Sequence, residues 1–166
     1  LSRNRNNAIA HADADILVVG DDDCRYKPEY MAAIRKAYEM QPEADIITFQ
    51  ALTLDGRPLH PYPAPYVCSV EITFRRRVET LFSNRFGLGS SQFCSGEEQV
   101  WLHDAVCEGH RHIYLDIPIV QTPEETTGSQ SRFSTSPALQ QSKGACFNYI
   151  YGTAEAAWRS VKEAGW

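Results

Sequence analysis

No apolar run in this 166-residue chain approaches the roughly 20 residues that a membrane-spanning helix needs, and no secretory leader is visible. Positive charge is also in short supply. Lys and Arg number 16 against 21 Asp and Glu, for a net charge of −5. Without a basic excess, nucleic acid and anionic membrane surfaces are not the expected partners. Paired cysteines are missing too. The five, Cys24, Cys68, Cys94, Cys107 and Cys146, are odd in number, widely spaced and without a CxxC pair. That pattern argues against a disulfide framework and a zinc site. It favours a reducing, cytoplasmic setting with most cysteines as small core residues. There is no internal repeat and no low-complexity tract. The length predicts one domain over 1–166 with a real core.

Against these absences stands Ile16-Leu17-Val18-Val19-Gly20-Asp21-Asp22-Asp23. Four consecutive aliphatics predict a strand buried on both faces, as in a parallel sheet. Clustered carboxylates cannot enter such a strand without a compensating cation, so they belong at its C-terminal mouth. Ligands of open α/β sheets bind there. A hard divalent cation with a phosphate ligand suits such a cluster, and a solvated acidic turn is the alternative. Cys24 could add a soft donor.

Leu1 to Ala12 reads as a helix, with Ala8, Ile9 and Ala12 on the apolar side and Arg3, Asn4, Arg5 and Asn6 on the polar side. Arginines at a helix start oppose the dipole, which suggests either an anionic partner such as a pyrophosphate or plain solvation. Lys27-Pro28-Glu29 opens a second helix with Met31, Ile34 and Tyr38 facing the core. Ala44 to Leu52 and Val67 to Phe74 read as strands, and Asp55-Gly56 as a turn. His60 to Tyr66 is too proline-rich for regular structure and reads as a surface loop, with part of an acceptor wall as the alternative. Arg75-Arg76-Arg77 is a charged strand end. Phe86 to Ser91 is a glycine-rich loop without a phosphate-cradling pattern.

Gly96-Glu97-Glu98 opens an amphipathic helix on Trp101, Leu102, Ala105 and Val106. Glu98 lies four residues before Leu102, so it is expected on the buried side, in a first turn that stabilises a carboxylate. A general base and an ordinary helix-start residue are both compatible with that position. His103, His110 and His112 read as surface. His112 to Val120 is another strand, 121–135 a polar loop or lid with Arg132 as its only cation, and 136–166 a pair of C-terminal helices.

Three segments, in order, resemble the nucleotide-sugar glycosyltransferases of family 2. Leu1-Ser2-Arg3-Asn4-Arg5-Asn6-Asn7-Ala8-Ile9-Ala10 is similar to the family's arginine-bearing helix, Ile16 to Asp23 to its strand ending in the DxD motif, and Gly96-Glu97-Glu98 to its GED motif. The resemblance implies an α/β fold of GT-A type, Rossmann-like, with a mostly parallel mixed sheet flanked by helices. Residues 1–120 would be the GT-A-like core, truncated at the N-terminus, with an upstream segment either removed or supplied by another chain. It implies that Asp21 and Asp23 hold Mn²⁺ or Mg²⁺ and that Asp22 and Arg5 contact the donor. Glu98 would be the catalytic base, with Glu97 as the fallback.

The implied activity is metal-dependent, inverting transfer of a sugar from a nucleoside-diphosphate donor, favoured as a UDP-sugar, to a hydroxyl of a saccharide or other acceptor. The setting would be the cytoplasm, or the periphery of a membrane. The chain departs from the family pattern at two points. Glu98 stands where Asp is usual, and Gln121-Thr122-Pro123 stands where a His-Pro pair is common, which leaves Arg132 as a substitute phosphate contact. The alternative is a non-catalytic, degenerate module that binds a nucleotide-sugar or UDP. An aspartate-dependent phosphatase fits less well, because Cys24-Arg25 follows the triplet.

Overall fold

A computed structural model describes residues 1–62, 67–123 and 135–153. Arg132, most of the 121–135 loop, residues 63–66 and the second C-terminal helix expected beyond Thr153 lie outside the described residues. The elements run α1 (Ser2–His11), β1 (Ile16–Val18), α2 (Pro28–Met40), β2 (Ile46–Thr53), a 3₁₀ turn (Ser69–Glu71), β3 (Ile72–Arg75), α3 (Glu97–Cys107), β4 (His112–Thr122) and α4 (Pro137–Tyr151). They form two compact units. The first comprises Leu1–Ala10, Leu81–Asp104 and Glu125–Trp166, and the second His11–Thr80 and Ala105–Glu124. No helix among the described residues is long and apolar enough to cross a membrane.

The second unit holds a four-stranded mixed sheet in the order β1-β3-β2-β4. β3 runs antiparallel to both β1 and β2, and β4 runs parallel to β2. Three strands therefore point one way, with β3 inserted against them. The expected mostly parallel sheet is corrected accordingly, since two of the three described pairings are antiparallel. The physical reason is connectivity. Among the described residues the connection from β2 to β3 holds no α-helix to make a parallel crossover, and the chain returns beside β2 in the opposite direction. β1 is also shorter and less buried than its apolar run predicts. It lies at a sheet edge, where Ile16 and Leu17 are half-buried and Val18 is exposed, and only Val19 beyond it is buried.

The expected strand over 67–74 is broken at its start. The Glu71 carboxylate accepts the Cys68 N–H at 2.9 Å, and the Cys68 side chain accepts from the Glu71 backbone. That reciprocal capping winds Ser69–Glu71 into a 3₁₀ turn and delays β3 to Ile72. Arg75 is more than a charged strand end. Its guanidinium donates to the carbonyls of Ala44, Tyr38 and Pro42 and sits 4.9 Å over the Tyr38 ring. α2 begins with proline in its first turn and buries Tyr30, Ile34, Ala37 and Tyr38, a helical stripe that leaves Met31 only half-buried. This face packs with Ile47, Phe49, Ala51, Val70, Ile119 and Val120.

The first unit packs Phe86, Val100 and Cys146 together, with Phe93, Ala145 and Ile150 against them. Cys146 is the one buried cysteine, which corrects the expectation that most are core residues; Cys24, Cys68 and Cys94 are half-buried and Cys107 is exposed.

Phe49 is wholly inaccessible at the centre of the second unit's core. Phe49→Ala is expected to cost about 3–5 kcal/mol, the usual penalty for a buried aromatic. Equilibrium urea unfolding followed by circular dichroism would show it as a lowered midpoint.

Candidate functional site

In the second unit, the chain leaves β1 through Val19, whose N–H donates to the Ile72 carbonyl at 3.1 Å. It then exchanges backbone hydrogen bonds between Arg25 and Gln121, at 2.8 and 3.0 Å. Val19 follows the C-terminal end of β1, and Gln121 lies at the C-terminal end of β4, which points the same way. Asp21, Asp22 and Asp23 thus lie in a turn along the C-terminal ends of co-directional strands, all three exposed. The turn is closed by the Cys24 N–H donating to the Asp21 carbonyl at 3.3 Å. Ser69 Oγ donates to Asp21 Oδ2 at 3.3 Å, which orients that carboxylate. The Cys24 thiol lies 3.9 Å from Asp23 Oδ1. Burial outweighs its hydrogen bonds and pushes the Cys24 thiol up.

In the first unit, α1 turns Ser2, Arg5 and Asn6 inward, contrary to the expectation for Asn6, while Arg3 and Asn4 stay exposed. Ser2 is buried and donates to the Phe86 carbonyl at 2.8 Å. The Asn6 amide brackets Phe82, donating to its carbonyl at 2.9 Å and accepting its N–H at 2.8 Å. These anchors carry Arg5 to the start of α3. Its Nη1 lies 3.3 Å from Glu97 Oε1 and 3.5 Å from Glu98 Oε1, with its side chain 9% exposed. Its guanidinium also sits 5.4 Å over the Phe82 ring, which itself stacks on Trp101. The anion that Arg5 meets among the described residues is therefore this carboxylate pair.

The phase of α3 differs from the expected one by a residue. Glu97, Val100, Trp101 and Ala105 are buried, while Glu98 and Leu102 lie at the rim. The stack of Phe82 on Trp101 sets this phase, because the largest side chain takes the deepest position. Space around Glu97 is tight. Gly87 has φ +100°, and a Cβ there would lie 3.0 Å from the Glu97 carboxyl carbon and 3.1 Å from Ser2 Oγ. Only glycine fits this position on both counts.

Two carboxylates share one guanidinium here, so one negative charge is left over. Burial pushes the Glu98 carboxyl up to about 8, the Glu97 charge adds to the rise, and Arg5 opposes it. A carboxyl raised this far is a stronger base once ionised and a proton donor below that pH.

The histidines are not all surface groups. His112 Nε2 lies 2.8 Å from Thr48 Oγ1, and burial pushes its pKa down. His103 contacts the Tyr149 ring at 5.8 Å between centroids. One set of residues was not anticipated from the sequence. His60, Cys68 and Glu71 bring a nitrogen, a sulfur and a carboxylate oxygen within 4.8 Å of one another. Among the described residues no other three such side chains converge in this way. A signal was available in His60-x₇-Cys68-x₂-Glu71, but zinc spacing is usually sought in cysteine pairs.

No family model matches the chain, and no curated protein matches it. A solved structure does. The fold is similar to that in the crystal structure of S. aureus TarS 1-349, with a TM-score of 0.60 at 12% sequence identity. The match covers 90% of this chain and 60% of that one. TarS is a family 2 glycosyltransferase. The chain thus has a glycosyltransferase-like fold, spanning about three fifths of the length of that structure.

The raised Glu98 has a consequence for stability. Its carboxyl holds a proton in the folded chain up to about pH 8, whereas the unfolded chain releases it near 4.5. Between those values the folded state binds more protons, so this group makes stability fall as pH rises. Glu98→Gln should remove that slope. Unfolding midpoints of the variant and the parent should diverge in favour of Gln from pH 5 to 8, then run parallel; a constant gap across this range would contradict the raised pKa.

Proposed function

We propose that the chain is a metal-dependent, inverting glycosyltransferase that moves a sugar from a nucleoside-diphosphate donor, favoured as a UDP-sugar, to an acceptor hydroxyl. One observation carries this reading. In a fold similar to a glycosyltransferase's, the three exposed aspartates follow β1 along the C-terminal ends of co-directional strands. That is where an α/β sheet takes its ligands.

Asp21 and Asp23 are the proposed holders of Mn²⁺ or Mg²⁺. Both are hard oxygen donors, exposed, and Asp21 is oriented by Ser69. Such ions need only one or two protein carboxylates and take the rest of their shell from phosphate and water. A bound cation would neutralise charge on the diphosphate leaving group. Asp22 is proposed to contact donor hydroxyls, and Arg132 the donor phosphates.

Glu98 is the proposed base, with Glu97 second to it. The acceptor oxygen attacks the anomeric carbon as its proton passes to the Glu98 carboxylate. The bond to the diphosphate breaks, and its electron pair leaves with that group, which inverts the centre. Arg5, proposed as a donor contact, also tunes the base, since its charge holds the Glu98 pKa lower than burial alone would set it.

The raised Glu98 also favours a second reading, a binding module for UDP or a nucleotide-sugar without turnover, because its carboxyl carries a proton at neutral pH. Calorimetry with UDP and Mn²⁺, run beside transfer assays over several donors and acceptors, separates the two. Transfer is expected, with a rate that climbs with pH toward a plateau above about 8. Glu98→Gln should lower turnover by about 10²- to 10⁴-fold while UDP binding persists. Asp23→Ala should remove the response to Mn²⁺. Binding without transfer or donor hydrolysis would favour the module instead.

A further inference from the structure

We infer that His60, Cys68 and Glu71 form a second cation site, selective for Zn²⁺ or a similar borderline ion and distinct in chemistry from the aspartates. The geometry begins with His60. Its Nδ1 lies 3.2 Å from the Pro61 carbonyl, to which an Nδ1–H can donate. That hydrogen bond fixes the tautomer with the lone pair on Nε2, an arrangement that metal-binding histidines commonly show. Nε2 then faces Glu71 Oε1 at 2.8 Å. A lone pair and a carboxylate oxygen that close repel unless a cation lies between them.

A proton on His60 is one such cation. Burial alone would lower the His60 pKa, but the hydrogen bond and charge of Glu71 outweigh it and leave it raised. The cluster, however, offers more than a proton needs. The Cys68 sulfur is the third donor, and all three donor atoms lie within 4.8 Å of one another. Cys68 forms no disulfide, and its side chain accepts the Glu71 backbone N–H, which fixes the position of the sulfur. The same capping pair points the sulfur and the carboxylate from one turn.

The outer contacts are also in place. The Tyr62 hydroxyl donates to Glu71 Oε1, the Cys68 N–H donates to Oε2, and the His60 and Tyr62 rings pack at 4.2 Å between centroids. Glu71 is 2% exposed, so these neighbours, rather than water, meet its carboxylate.

Sulfur, nitrogen and oxygen together suit Zn²⁺ and do not suit Mg²⁺ or Mn²⁺, which prefer oxygen alone. With Zn²⁺ bonds of about 2.0–2.3 Å, tetrahedral ligands stand roughly 3.3–3.8 Å apart. The His60–Glu71 pair would therefore open by about half an ångström, a side-chain adjustment. Three protein ligands leave a fourth position for water. On binding, the Cys68 thiol and any protonated His60 release their protons to solvent. The ion would tie His60–Tyr62 to the 3₁₀ turn whose Ser69 orients Asp21. The site stands whether or not the chain transfers sugars.

The test uses the full chain with Zn²⁺ or Co²⁺ alone. Competition against a chromophoric chelator should show one Zn²⁺ per chain, and Co²⁺ should produce a near-ultraviolet thiolate-to-metal band. Cys68→Ser should abolish the band. Cys68→Ser and His60→Ala should each weaken Zn²⁺ binding by about 100-fold or more, since even outer-shell losses reach that size. Cys107→Ser, at an exposed cysteine, should change neither reading. Should the variants fail to fold, alkylation of the parent chain mapped by mass spectrometry decides. Zn²⁺ should slow labelling of Cys68 at least about tenfold relative to Cys107, as thiolate coordination requires. No band, equal labelling, or binding unchanged in Cys68→Ser would overturn the site.

Discussion

One guanidinium facing two carboxylates is the interaction on which the first unit depends. Arg5 comes from a segment 92 residues away from Glu97 in sequence, and all three side chains are mostly removed from water. Charges in such a place are tolerated only when paired, and removing one partner from a buried set typically costs about 3–5 kcal/mol. The rest of the neighbourhood is arranged to keep the set together. Ser2 and Asn6 hold the chain at Phe86 and Phe82, Phe82 lies against both Arg5 and Trp101, and Gly87 leaves room for the Glu97 carboxyl. Burial at this packed helix start is what chiefly lifts the Glu98 pKa, with the Glu97 charge adding to it and Arg5 opposing it, so packing and acid–base chemistry are linked here.

In the second unit the organising constraint is the reversed strand. β3 lies between β1 and β2 and runs against both, so the start of β3 meets the C-terminal end of β1. The 3₁₀ turn that precedes β3 therefore stands beside the aspartate turn, and Ser69 reaches Asp21. A parallel strand in that position would have carried the turn to the opposite edge of the sheet. The same reversal brings Glu71 and Cys68 to the ligand-bearing end.

Local chemistry and tertiary need are in tension at several of these residues. Glu71 is a buried carboxyl residue, and Arg5 is a cation in the first turns of a helix. Each breaks a local rule, and each is satisfied by partners distant in sequence or by a reciprocal cap. Such places are where function is commonly found, because the compensating contacts that make them stable also make them reactive.

Much of the secondary structure was legible in the chain itself. Ile34 and Tyr38 on the core face of α2, though not Met31, and the strand expected over Ala44 to Leu52, found at Ile46–Thr53, follow from spacing and side-chain type, because periodicity reports which face meets the core. The position of the acidic triplet just past a strand was legible for the same reason. Three features were decided only by the tertiary structure. Strand direction was one, since an apolar run looks alike in either orientation. The phase of α3 was another, since Glu97 and Glu98 are equivalent until Trp101 finds Phe82. The convergence of His60, Cys68 and Glu71 was the third. Sequence records what each side chain can do, but charges, ring stacks and ligand sets act through space, and only the folded chain sets those distances.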